Sequence, residues 1–169
     1  DGGSTQNLRK QEYWTFLSGA TGQLYASSHS WTFDATWQSR LDTVGILEFK
    51  YAQKLFSGVK WYDLVPDRQH QVVTAGYGTF SKNVSITTDT YATAAATAEG
   101  TLAMVYMPTS RTVTVDMSKL SGPAKARWYD PTNGKYVAIA GSPFSNTGAR
   151  NFKPPASNSS GDHDWVLVL

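Results

Sequence analysis

Residues 9–31, RKQEYWTFLSGATGQLYASSHSW, decide how this chain is read. Leu8, Tyr13, Trp14, Phe16 and Leu17 recur at roughly helical spacing among Arg9, Lys10, Gln11 and Glu12. That pattern predicts a helix over 7–18, with Asn7 as N-cap and Gly19 as stop. GATG at 19–22 turns the chain, and Gln23-Leu24-Tyr25 is expected to be a strand too short to stand alone, of the kind that survives inside a larger sheet. After the Ser- and aromatic-rich loop SSHSWTFDATWQS (27–39), a second helix is predicted over 43–57. Asp42 is its candidate N-cap, Val44, Leu47, Tyr51, Leu55 and Phe56 fall at spacings of three and four, and Gly58 ends it. Helix, strand, loop and helix make one and a half units of an α/β repeat, whose partners would lie elsewhere.

From about Gln71 the pattern changes. Short apolar or alternating runs at 71–74, 91–98, 101–107, 111–116, 124–129, 135–139, 149–152 and 164–169 are separated by turn-forming stretches such as PTS, SKLSGP, SPFSNTG and PPASNSSGD. Thr112, Thr114 and Asp116 alternate with Val113, Val115 and Met117, the period of a half-buried strand. Asn133-Gly134 within YDPTNGK (129–135) is the strongest hairpin signal. The alanines of TYATAAATA (90–98) favour helix, but it is assigned to a strand because its neighbours need an edge partner. The fold expected is mostly β: an antiparallel β-sandwich of about eight strands preceded by a helix-strand-helix fragment. The boundaries expected are 1–60 for that fragment, 61–70 for a connector in which WYDLV docks one part on the other, and 71–169 for the sandwich.

Composition narrows the function. A chain of 169 residues suits one domain, or a small domain with part of another, and is too short for a complete eight-stranded α/β barrel of about 250 residues. The net charge of +2 comes from 15 basic residues scattered among 13 acidic ones, which argues against nucleic acid as a partner. No apolar run reaches the length of a membrane span, and the opening DGGSTQNLRK lacks the apolar core of a signal peptide and reads like the middle of something longer. Without cysteine there is no disulfide or thiolate chemistry, and the compartment stays open. Asn83-Val84-Ser85 and Asn158-Ser159-Ser160 are glycosylation sequons of small weight. Six Trp and nine Tyr bring the aromatic fraction to 13%, fitting large core side chains in β-structure or flat rings that stack on sugars; both can hold at once.

Most site types fall away. His29, His70 and His163 are dispersed with no zinc-binding spacing, Gly76-Tyr77-Gly78 reads as a turn, and Gly-x-Ser-x-Gly is absent. No cofactor or metal is expected. Asp162-His163-Asp164 reads as loop in preference to a cation site, Glu12 as a surface charge in preference to a displaced nucleophile, and Asp34 and Asp42, either of which could contact a sugar, as a loop carboxylate or an N-cap. Trp128 and Tyr129 should point to opposite faces, leaving at most one exposed, while Trp61 and Trp165 should close a core or an interface.

The opening segment resembles the end of the catalytic barrel in the apiosidase-like family of glycoside hydrolases, where an Arg-Gln-x-x-Tyr-Trp helix leads into Ser-Gly-Ala-x-Gly and a strand ending in Tyr. LFSGVKWYDLVPD, TAGYGTF, the run from TLAMVYMPTS to DPTNGKY and the terminal DWVLVL resemble that family's C-terminal β-module, described as a collagen-binding domain of a collagenase. The resemblance implies that the first helix and short strand are the seventh helix and eighth strand of a (β/α)8 barrel, and that 43–57 is its last helix. It further implies a secreted, extracellular or periplasmic enzyme of polysaccharide degradation. Its two catalytic carboxylates, about 5 Å apart in retaining geometry, would sit at strand ends lying before Asp1. The chain is then expected to hold no catalytic residue and to be inactive alone, with the N-terminal barrel segment or a second chain as partner. Tyr25, His29 and Trp31 become the candidate substrate-binding residues: Trp31 as stacking platform, His29 as hydroxyl contact and Tyr25 at the strand end, because loops at strand C-termini build barrel sites. The alternative is a non-catalytic carbohydrate- or collagen-binding module, or a purely structural sandwich.

Overall fold

The computed structural model describes residues 4–79, 81–83 and 85–169. Phe80 of TAGYGTF, Val84 of the first sequon and the first three residues of the polar start lie outside them. The expected sandwich is formed by two antiparallel sheets. The larger runs in the order β1 (Leu64–Pro66), β3 (Thr93–Thr97), β4 (Ala103–Met107), β9 (Trp165–Val168), β6 (Arg127–Asp130), β7 (Lys135–Ala138). The smaller runs β2 (Val73–Ala75), β5 (Val113–Asp116), β8 (Ala149–Phe152). The outer face of the large sheet carries two helices, α1 (Thr5–Leu17) and α3 (Val44–Ser57).

The inner strands β3, β4 and β9 of the large sheet are therefore buried on both sides, which explains their sequence. β4 reads AMVYM without alternation because Val105 and Met107 enter the core between the sheets, while Met104 and Tyr106 enter the one under the helices. β5 alternates because only Val113 and Val115 are buried, Thr114 and Asp116 sitting on the outer face of the small sheet. Trp128 and Tyr129 do point to opposite faces, but neither is exposed, since each face has its own core. Trp165 closes the inter-sheet core and Trp61 packs against the helix-facing one. The Asn-Gly hairpin is formed, with Asp130 opposite Lys135 and Gly134 at φ +70°.

Two strand expectations change. β3 is an interior strand: its Ala95 lies opposite both Pro66 of β1 and Met104 of β4. The edge comes from β1, inside the segment expected to be only a connector, and its terminal Pro66 suits an edge because it has no N–H to donate. Small side chains suit β3 because Ala94 and Ala96 face one core and Ala95 the other; tertiary pairing outweighs their helix propensity.

α1 starts at Thr5, with Ser4 and not Asn7 at the N-cap position, and Gly19 follows its end at φ +92°. α3 matches to one residue, with Thr43 at the N-cap position in place of Asp42. The expected strand at 23–25 is not formed: among the described residues it joins no ladder, and three residues cannot satisfy their backbone groups as a strand without neighbours. The helix-strand-helix fragment is here α1, an unpaired segment, the short α2 (Ser28–Thr32), a 3-10 turn at Trp37–Arg40, then α3.

The helices are fastened to the sandwich by packing and by charge. Tyr13 stacks on Tyr106 with ring centroids 4.9 Å apart, and Leu17, Ala52, Leu55 and Phe56 complete that core, each large side chain contributing about 1.5–3 kcal/mol by burial. Arg9 is fully buried and forks to Asp164 through Nε and Nη2, both at 2.8 Å. It also donates to Glu48 of α3 at 2.8 Å and to Asp162 at 2.7 Å. The Asp162-His163-Asp164 loop does hold a cation, then, and it is the chain's own guanidinium. Glu12, expected on the surface, is instead 1% exposed. Neither of its carboxyl oxygens has a hydrogen-bond partner among the described residues. Burial first, and the charge of Glu48 next, push its carboxyl pKa up to about 8.

Candidate functional site

The three predicted residues lie on the excursion between α1 and α3, and each has a different setting. Tyr25 is half-buried, its ring stacked on Phe49 of α3 at a centroid distance of 6.0 Å. Burial pushes its hydroxyl pKa up, opposed by a hydrogen bond with Thr43, so Tyr25 anchors the loop to the start of α3. His29 and Trp31 ride together on α2. That single turn forms because Ser27 and Ser30 cap one another: Ser30 N–H donates to Ser27 Oγ at 3.2 Å, and Ser27 N–H donates to Ser30 Oγ at 3.0 Å.

α2 ends at Phe33, in the left-handed region at φ +47°, and the chain reverses so that Asp34 meets His29. Asp34 Oδ2 lies 2.6 Å from His29 Nδ1, while Oδ1 accepts from the backbone N–H of Thr36 at 2.8 Å and from its hydroxyl at 2.7 Å. Hydrogen bonds from Thr36, then from His29, hold the Asp34 carboxyl at about 2. The imidazole is thus oriented by a carboxylate at Nδ1, which leaves Nε2 as the atom to meet a hydroxyl.

Trp31 is 80% exposed and Phe33 69% exposed, with Phe33 edge-on to Trp37 at 5.4 Å. Leu24, Leu41, Val44 and Leu47 are exposed as well, so the helix side of the molecule presents an apolar surface from the loop to the first turns of α3. Asp34 as the partner of His29, and Phe33 and Trp37 as further rings, were not singled out in the sequence. The interval of five between His29 and Asp34 follows no motif, and only the reversal at Phe33 joins them. Among the described residues no group of three His, Cys, Asp or Glu could hold a metal ion, and no helix is long and apolar enough to cross a membrane.

The fold is a β-sandwich with a helical layer on its large sheet and an aromatic loop on that layer. The family model described as "Putative collagen-binding domain of a collagenase" matches residues 81–169, and the chain belongs to that family. Among solved structures, one named "Glycoside hydrolase" superposes on 98% of the chain with a TM-score of 0.77 and 26% identity. A glycoside hydrolase family 5 structure from Bacteroides vulgatus superposes on 98% with a TM-score of 0.70 and 22% identity, a likeness of fold alone. The chain spans 36% of the length of each of these two proteins. No curated protein sequence matches it.

Proposed function

We propose that this chain is the C-terminal part of a secreted, apiosidase-like glycoside hydrolase acting on plant or microbial polysaccharide. In this reading α1 and α3 are the last two helices of a (β/α)8 barrel, and residues 23–25 become its eighth strand once neighbours supply a ladder. The sandwich braces the barrel, and the catalytic carboxylates belong to the barrel segment that covers the exposed apolar surface. The observation that carries this is the asymmetry of the helical layer. Its sandwich side is sealed by Tyr13, Leu17, Leu55 and Phe56, while Val44 and Leu47 of α3 and Leu24 of the connection are exposed. An uncovered apolar surface of this kind calls for another polypeptide.

His29 and Trp31 are then rim groups for a bound sugar, with Asp34 positioning the imidazole and Tyr25 holding the loop's base against α3. Intact-mass measurement on the protein isolated from its source tests the reading. The expected result is a polypeptide or complex of a length like that of the structural neighbours; a natural chain that starts at Asp1 and stays monomeric and soluble overturns it. In the complete enzyme, Trp31→Ala is expected to raise KM for polysaccharide about three- to tenfold, the worth of one aromatic face contact, with folding unchanged. An unaltered KM removes Trp31 from the site.

A further inference from the structure

On the opposite flank of α1 from α3 lies a cavity of about 720 Å³, between Trp14 and the strands β1 and β3. Its size is that of a small-ligand site. Arg9, Glu12 and Phe16 mark the α1 face turned toward α3, whereas the cavity takes Trp14, Thr15 and Ser18, so it is separate from the loop that carries Trp31. We propose that this cavity binds a neutral saccharide, giving the module a carbohydrate site of its own.

The walls are pre-set. The Trp14 indole N–H donates to the Tyr91 carbonyl at 3.0 Å, which fixes the ring plane. The Asp67 carboxylate accepts from the backbone N–H groups of Gln71 at 2.7 Å, Val72 at 3.0 Å and Val73 at 2.8 Å, and so holds the turn after β1 closed. Within that turn His70 sits at φ +54°, a left-handed conformation uncommon outside glycine. Its imidazole lies flat on Tyr77 at a centroid distance of 3.5 Å and an angle of 3°, and 6.2 Å from the Tyr91 ring. A backbone held in an uncommon region by three hydrogen bonds, presenting a stacked ring to a cavity, is a pre-organised wall.

The polar groups select the ligand class. Asp89 commits one carboxyl oxygen, Oδ2, to the Ser85 N–H at 2.8 Å, and neither its Oδ1 nor the Arg68 guanidinium has a hydrogen-bond partner among the described residues. The lining carries two carboxylates, Asp67 and Asp89, against one guanidinium, Arg68, a balance that disfavours a phosphate or an acidic sugar. A polyproline-like peptide, docking between aromatic ridges, makes no use of Arg68 or Asp89. A neutral pyranose meets both demands, laying its C–H face on a ring and offering hydroxyls to the carboxylate and guanidinium at the mouth.

The test is a titration of the complete, ²H,¹⁵N-labelled protein with cellohexaose, xylohexaose and mannohexaose, and in a separate arm with the collagen-like peptide (Pro-Pro-Gly)10. At least one hexasaccharide is expected to give saturable shifts at the Trp14 indole and the amides of 67–70 and 89–94, with Kd of about 0.1–1 mM. Arg68→Ala, at an exposed position, should weaken that binding about two- to tenfold, the worth of one hydrogen bond, without loss of spectral dispersion. Three outcomes overturn the proposal: no saturable shift with any hexasaccharide, shifts confined to 25–37, or saturation of the cavity amides by the peptide alone. Shifts at 25–37 would speak to the Trp31 rim instead, so the two sites fail separately.

Discussion

Replacing Arg9 by Met should cost far more stability than any surface charge in the chain. Arg9 has no exposed surface, and its side-chain nitrogens donate at 2.7–2.8 Å to Asp164, Glu48 and Asp162 and at 3.2 Å to Thr5. In Arg9→Met, Asp164 keeps only Asn158 at 2.9 Å and Tyr106 at 3.1 Å as side-chain donors, while remaining fully buried. Glu48 is 2% exposed, and its carboxyl already lies above the usual range because burial outweighs the attraction of Arg9. Stranding two buried carboxylates in this way costs about 3–5 kcal/mol, or about 6–20 °C in Tm for a chain of this size. The control is Lys50→Ala: its pair with Asp42 spans 3.1 Å between exposed side chains and is worth about 1 kcal/mol or less. Urea unfolding followed by circular dichroism measures both. Because part of the loss is the penalty of an unpaired charge, Arg9→Met combined with Asp164→Asn should recover some of it. If Arg9→Met falls within error of Lys50→Ala, the buried fork does not hold the helices to the sandwich and the reasoning fails.

The Glu12 carboxyl, at about 8 in the fold, lies above its ordinary value near 4.5, so its share of stability is complete below pH 4.5 and is lost as pH rises through 8. Between those limits unfolding free energy should fall by about 1 kcal/mol per pH unit from this group, and Glu12→Gln should flatten that slope when urea midpoints are compared at pH 5 and pH 8; an unchanged slope refutes the assignment. Gly76 sits at φ +80° with a would-be Cβ 2.2 Å from the Thr112 carbonyl oxygen, so Gly76→Ala should force β2 from β5 and lower stability by at least about 2 kcal/mol in the same assay. Leu167 is fully buried between the sheets, and Leu167→Ala should cost about 2–5 kcal/mol by thermal unfolding, with a smaller loss showing that the inter-sheet core can collapse around the gap.

The strands after residue 70 were legible because each alternates or runs apolar between turn residues, signals that survive without knowledge of the partner strand. β1 was not: Leu64-Val65-Pro66 is three residues ending in proline, and it becomes a strand only because Thr97, Ala96 and Ala95 lie opposite it. Residues 23–25 failed in the other direction. Their pattern encodes a strand, but a strand is a relation between chains of atoms, and no neighbour in the described residues completes it. Glu12 shows the limit of reading charge as surface. On α1 it falls on the flank turned to α3, and only the packing of the two helices reveals that this flank is closed. At the loop, Trp31 and His29 were visible as exposed chemistry, but the Asp34 contact depends on one left-handed residue, Phe33, whose type gives no hint of that conformation.

The large sheet also links the loop to the rest of the molecule mechanically. One of its faces is closed by the small sheet and the other by α1 and α3, so the helices share Met104, Tyr106, Tyr129, Val166 and Val168 with the sandwich as a common core. Shifting either helix would break the Tyr13–Tyr106 stack and the Arg9 fork together, and packed cores resist continuous deformation. The loop from α1 to α3 is pinned at its base by Tyr25 on Phe49 and capped at α2 by Ser27 and Ser30. Trp31 and His29 are therefore presented from a base that the β-module itself holds fixed. For that reason a change at Arg9, which donates to Glu48 of α3 at 2.8 Å, should alter how Trp31 and His29 are held even though it touches neither.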